Sequence, residues 1–387
     1  MKSYGIVSLS LVSALALHAH PAAADTLKVD LGSVDRVTAL FSYPNCQTQC
    51  PTPAPTLPDT VAHYLQQSVV RDGYPSATVS VTQEGTEVYA NLTGVDSTYG
   101  QAIQSFLAAG DLGYAGANNI KQAGLWQSDW YFFLPLGLAM QNHPTVELLH
   151  FPPDSVMFKT QDYLNNPTTN RWASLLVANG VQASQTDAYQ TIVDIAPIAA
   201  PSNAGSSFTG IYSYFTPYIQ SLLGSWTSNP PATQAGKPMV AFGAPAREWV
   251  VNQYKLSSLD VLQLGSIPVT PGQPEIPILG SNHPSYIWYA SDPKNYGGDM
   301  NKANAAGFTV MEQDLTAACW QAQMGQAPAS DPNQTLSQCQ TTWMKTQVLQ
   351  ACEMFFESIR NMTQAEAFAE CVIIPPNLPN LPQSPAL

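Results

Sequence analysis

Apolar residues recur along this chain with two different periods, and the periods divide it into segments of different texture. Ala77-Thr-Val-Ser-Val-Thr82 and Glu87-Val-Tyr-Ala-Asn-Leu92 alternate apolar and polar positions around Glu84-Gly85-Thr86. That is the pattern of two half-exposed strands joined by a tight turn. Just upstream, Val61, Tyr64, Leu65 and Val69 fall at helical spacing behind Asp59, whose carboxylate suits the start of a helix. A second helix is expected over 100–109. Residues 25–115 therefore read as a small α+β module, a structural or docking appendage.

From about residue 140 the alternation gives way to short continuous apolar runs. Val146-Glu-Leu-Leu-His-Phe151, Gln190-Thr-Ile-Val-Asp-Ile195, Pro238-Met-Val-Ala-Phe242 and residues 276–279 read as buried strands. Helical stretches over 170–179 (ended by Gly180), 212–226 and 244–251 separate them. Strands alternating with helices predict a parallel sheet covered by helices on both faces. In such sheets ligands bind beyond the carboxyl ends of the strands. Residues 312–371 are helical in pattern, and the Pro/Asn-rich end, 375–387, is expected to be disordered.

The first residues change the picture by adding a destination. Lys2 precedes an apolar stretch over 6–17, and His20-Pro21-Ala22-Ala23-Ala24 ends in a small-x-small pattern. A cleavable secretory signal over 1–24 is expected, with export to a periplasm or to the outside. Its apolar stretch is about 12 residues, well short of the roughly 20 that span a bilayer. The other apolar run, 130–140, is equally short, carries Pro135, and reads as core. No membrane-spanning segment is expected.

Charge and cysteine narrow the partners further. Only 11% of the 387 residues are charged, and the net charge is −13. Basic residues never gather, whereas phosphate contacts dominate the affinity of nucleic-acid binders. Duplex DNA and anionic membrane surfaces are poor partners. In an exported chain the six cysteines read as disulfides. Cys46 and Cys50 are close enough to pair locally. Cys319, Cys339, Cys352 and Cys371 make two further bridges, with three connectivities open. Their spacing matches neither a thioredoxin-type pair nor a zinc ribbon. His150 with Asp154 supplies too few ligands for a metal, and no cofactor is expected. There is no Gly-x-Ser-x-Gly elbow, phosphate-binding glycine loop or His-Glu-x-x-His.

The strand ends supply the candidate chemistry: Asp154, Asp194 and His283, with Gly243 at the turn after the third strand. His283 lies in Gly280-Ser-Asn-His-Pro-Ser-Tyr286, where the following proline restricts its backbone. Asn282 and Ser285 add hydrogen-bonding groups beside it. His143 and His150, flanking the first strand, read as ordinary surface or edge residues. Tyr286, Trp288 and Tyr289 read as core and rim.

Four pieces in order resemble the uracil-DNA glycosylase superfamily over about 145–318. They are Asn170-Arg-Trp-Ala-Ser-Leu-Leu176 with Asn179-Gly180-Val181, then Val240-Ala-Phe-Gly-Ala-Pro-Ala246, then His283-Pro-Ser-Tyr-Ile-Trp288, then Gln313-Asp-Leu315. The resemblance implies an α/β class: a three-layer α/β/α sandwich with a mostly parallel sheet over 140–318. It would follow the small N-terminal α+β module and precede a disulfide-tied helical C-terminal extension over 319–374. It also implies that His283 stabilises negative charge on a departing base and that Asp154 orients water. The chain departs from the family at two places. The first-strand loop, Phe151-Pro-Pro-Asp-Ser155, has no glycine, and Asp194 stands where a base-reading Asn is expected. Base chemistry also needs the base extruded from DNA, which an acidic exported chain is poorly built to hold. The expected function is binding of a small polar or nucleobase-like ligand through Asp194, Asn282, Ser285, Gly243 and His283, without DNA repair. The alternative is an exported hydrolase of N-glycosidic or related bonds using His283 and Asp154.

Overall fold

A computed structural model describes residues 26–41, 56–134, 143–152, 167–208, 210–227, 237–268 and 275–373. The expected export signal, Cys46, Cys50, Asp154 and the Pro-rich end lie outside the described residues.

The expected hairpin forms from β2 (Thr78–Glu84) and β3 (Glu87–Thr93), and β1 (Leu27–Ser33) adds to it in the antiparallel order β1-β3-β2. Alternation does its work on β3, whose Val88, Ala90 and Leu92 are all buried. Two helices, α1 (Val34–Phe41) and α2 (Leu57–Arg71), pack with this small sheet. Asp59 acts one turn later than the sequence suggests. Thr56 is the cap residue, its hydroxyl accepting from the Asp59 backbone N–H while the Asp59 carboxylate accepts from the Thr56 N–H. Two orphan donors are thereby satisfied reciprocally, and Pro58 occupies a position where no N–H is needed.

The next helix, α3 (Tyr99–Gln122), runs well past residue 109. Its glycines lower helix propensity, yet Gly110, Gly113 and Gly116 fall on one face and admit close neighbours. A Cβ at Gly113 would meet the Phe132 ring at 3.0 Å, and one at Gly116 would lie 2.5 Å from the Tyr214 carbonyl oxygen. Gly116→Ala is therefore expected to destabilise the protein by about 1–3 kcal/mol through overpacking, despite alanine's better propensity. Urea unfolding decides this, and equal or greater stability would refute the packing argument.

The larger sheet has the order β6-β5-β8-β10-β9. Its strands are β5 (Val146–Leu149), β6 (Ile192–Asp194), β8 (Met239–Phe242), β9 (Leu264–Ile267) and β10 (Ile276–Ser281). The first three neighbouring pairs are parallel, and β9 lies antiparallel at the edge. The parallel strands are wholly buried, as their continuous apolar runs require. Strand β9 escaped the sequence reading because Leu-Gly-Ser-Ile carries only two apolar residues and no run. A short ribbon, β4 (Tyr131–Phe132) with β7 (Ile198–Ala199), lies apart from this sheet.

Further α-helices among the described residues are α4 (Pro167–Ala178), α5 (Thr186–Tyr189), α6 (Thr216–Thr227), α7 (Gly243–Tyr254), α8 (Tyr286–Ala290), α9 (Met300–Gln326), α10 (Pro332–Thr341), α11 (Val348–Arg360) and α12 (Gln364–Ile373). Helix α7 packs on β5, β8 and β10, while α9 packs on β8, β10 and α4. Of the three possible connectivities the local one is formed: Cys319–Cys339 joins α9 to α10, and Cys352–Cys371 joins α11 to α12. No helix among the described residues is long and apolar enough to cross a membrane.

One apolar core runs from Val29 in β1 to Cys371 in α12. Where the N-terminal elements meet the larger sheet, the contact is polar and buried. Asp72 lies 3.0 Å from His143 Nε2, with the two side chains 0% and 2% exposed, and also accepts from the Tyr99 hydroxyl at 2.5 Å. His143 Nδ1 meets the Thr191 hydroxyl, and Arg71 donates to the Gln190 carbonyl at 2.8 Å. His143 is thus a buried clamp between the two parts, not the surface residue its place beside a strand suggested.

Candidate functional site

All four parallel strands end on the same edge of the sheet. From β5 the chain passes first to β6 on one side, then crosses to β8 on the other. The order therefore reverses between β5 and β8, and a crevice forms at the carboxyl ends of strands where this happens. The residues that follow those strands are His150 after β5, Gly243 after β8, and Asn282 and His283 after β10.

Gly243 opens α7 with φ of +75°, a conformation that disfavours a side chain. A Cβ there would also lie 3.2 Å from the His283 Cβ. The absent side chain is what lets the His283 turn lean over the end of β8 toward the switch point. What Gly243 contributes here is that space.

The His-Pro-Ser turn then defines the imidazole. The Ser285 backbone N–H donates to His283 Nδ1 at 3.1 Å. Nδ1 is therefore the unprotonated nitrogen, and in the neutral ring Nε2 carries the hydrogen. Burial depresses the His283 pKa to about 4, so the ring is neutral at physiological pH. It offers a ligand one N–H donor without positive charge. With Nδ1 accepting and Nε2 protonated, the neutral ring has no lone pair for a metal. Ser285 itself is held by a 2.5 Å hydroxyl contact with Thr168 of α4.

His150, read from sequence as an ordinary edge residue, belongs to this site. Its ring is boxed by Phe151, Phe208 and Tyr212, with centroid separations of 4.8, 5.5 and 5.7 Å. Its Nε2 shares a 2.7 Å hydrogen bond with the Tyr212 hydroxyl. Burial, and next the proximity of His283, depress His150 to about 4 as well. Burial, and then Glu248, push Tyr212 up to about 12. Two neutral histidines and a protonated tyrosine thus share the strand-end region. The usable signal in the sequence was position: His150 directly follows the last residue of β5, at the edge where His283 was already placed.

The other expected residues are distributed differently. Asn282 is buried, and its amide points inward, donating to Gln313 Oε1 at 2.9 Å and Asp314 Oδ1 at 3.3 Å. Asp194 is the last residue of β6, in register with Leu149 and buried. It stands three strand spacings, about 14 Å, from the end of β10, so Asp194 and His283 lie on one edge without forming a pair. Asp154 lies outside the described residues. Tyr286 stacks on Tyr289 at 5.8 Å, and Trp288 and Tyr289 are exposed at the rim.

Two open grooves of about 350 and 330 Å³ lie elsewhere, one lined by residues including Gln323 and Asp331, the other by Tyr114, Trp126 and Trp130. Neither includes His150 or His283. Compared with known proteins, the chain matches no family model and no curated protein.

Proposed function

We propose that this chain is an exported protein whose strand-end site binds a small polar ligand of the nucleobase type, without DNA-repair activity. The observation that carries the reading is the His283 turn, where the Ser285 N–H donates to Nδ1 and leaves a neutral imidazole with its hydrogen on Nε2 at the carboxyl end of a parallel strand. An uncharged donor of this kind recognises a carbonyl oxygen rather than a phosphate. The reading includes a three-layer α/β/α sandwich of the uracil-DNA glycosylase type. Four parallel strands, with α7 and α9 both packed on β8 and β10, support it. A net charge of −13 argues against a polyanionic ligand.

The test is calorimetric titration of the protein with uracil. Binding is expected, and His283→Ala should weaken it at least about ten-fold, the loss of roughly one hydrogen bond. No binding by the native protein, or equal binding by the variant, ends the reading.

The second reading, a hydrolase of N-glycosidic or related bonds, is favoured by the hydrogen-bonded His150–Tyr212 pair. That pair can handle a proton in the same site, with Asp154 orienting water. Free base released from nucleosides or uracil-containing single strands, and abolished by His283→Ala, would establish it. Absence of release leaves the binding reading alone.

A further inference from the structure

The turn carrying His283 is gripped on both sides by groups behind it. Before it, Asn282 donates to Gln313 and Asp314 on α9. Asp314 is fully buried, and its other oxygen lies 2.9 Å from the Arg171 guanidinium on α4. After it, Ser285 meets Thr168, also on α4. Helix α4 therefore reaches the turn twice, through Thr168 directly and through Arg171, Asp314 and Asn282 in series. An apolar cluster would fill the same volume at lower desolvation cost. What directional bonds add is orientation.

We propose that Asn282 and Asp314 are positioning residues for His283, fixing the turn so that the Ser285 N–H meets Nδ1 and Nε2–H faces the ligand. The assignment rests on the reading of His283 as the ligand-facing group, and it gives Asn282 a role distinct from ligand contact. Arg171 keeps the Asp314 carboxylate aimed at the Asn282 amide. Asp314 lies within the Gln313-Asp-Leu315 segment, far from the turn in sequence, so the connection exists only in the folded chain.

The test is nitrogen-15 NMR of the His283 ring in the full chain, its signals assigned by their loss in His283→Gln. The native protein should show Nδ1 unprotonated, Nε2 protonated, and a titration midpoint near 4. Asn282→Ala should raise the midpoint by more than one pH unit and mix the tautomers. Asn282→Leu, which keeps the approximate shape and removes the donor, should do at least as much. The double variant Arg171→Met with Asp314→Asn removes both buried charges but keeps an acceptor for Asn282, and it should keep the native signature. Native signals in both Asn282 variants would overturn the proposal. Loss of the signature in the folded double variant would overturn the role given to the Asp314 acceptor. No ligand is needed, so the outcome stands whether or not uracil binds. A failure of uracil binding with native His283 signals removes only the functional reading.

Discussion

Replacing Asp314 with alanine is expected to cost about 3–5 kcal/mol of stability. The substitution strands the Arg171 guanidinium in the core, because the pair's side chains are 7% and 0% exposed. Little water reaches that charge, and the Met311 sulfur 3.8 Å from Nη2 is a weak acceptor. The Asn282 amide loses one of its two acceptors at the same time. Replacing both charges together, as in Arg171→Met with Asp314→Asn, should recover most of the loss, since the penalty comes from one unpaired ion. Urea unfolding of the single and double variants measures this. A single variant within about 1 kcal/mol of the native protein would show that the pair is solvated and the argument wrong.

Glu147→Gln is the second large effect, and it depends on pH. Glu147 sits in the middle of β5, 2% exposed, where a carboxylate has almost no access to water. Burial pushes its pKa up to about 8, against the opposing pull of the Gln321 amide, the Arg71 charge and Trp172. In the unfolded chain a glutamate titrates near 4.3. Between these values the folded protein retains a proton that the unfolded chain releases, so stability falls as pH rises through the window. The slope reaches about 1.4 kcal/mol per pH unit, and the total is on the order of 5 kcal/mol. Glutamine keeps the hydrogen bond accepted from Gln321 and has no carboxyl proton to lose. The variant should match the native protein near pH 4 and exceed it by several kcal/mol at pH 8. A gap that stays constant between those pH values would sink the assignment. His150 and His283 act with the opposite sign: both are depressed to about 4, so the stability they contribute is present above about 6.5 and lost as pH falls. Their contribution cancels when native and variant are compared at each pH.

Local signals placed most elements of the α/β part because they depend on neighbours in sequence. Val146-Glu-Leu-Leu, Ile192-Val-Asp and Met239-Val-Ala-Phe are strands because apolar runs of that length are buried on both faces. The hairpin at Glu84-Gly85-Thr86 follows from alternation, and Gly85 adopts a positive φ there. Edges and long helices were less legible. Strand β9 exists because β10 offers it a hydrogen-bonding edge, which no run within Leu264–Ile267 announces. Helix α3 continues through three glycines because Leu40 and Leu134 pack at Gly110, Phe132 and Tyr218 at Gly113, and Tyr214 and Phe215 at Gly116.

The candidate site divides in the same way. His283-Pro-Ser285 was recognisable because the turn is local, and even its tautomer is set two residues away by the Ser285 N–H. His150 was misplaced because its aromatic partners Phe208 and Tyr212 are about sixty residues distant and meet it only after folding. By itself the sequence determined the alternation of strands and helices, the strand-end place of His283 and the gathering of four cysteines in the C-terminal part, with their connectivity left open. Each rests on spacing along the chain. Only the tertiary structure decided that His150 joins His283, that the Asn282 amide turns inward to Asp314, and that His143 seals a buried joint with Asp72. Each of these is a hydrogen bond, ring contact or electrostatic proximity between residues far apart in sequence, and its direction depends on how the sheet and helices pack.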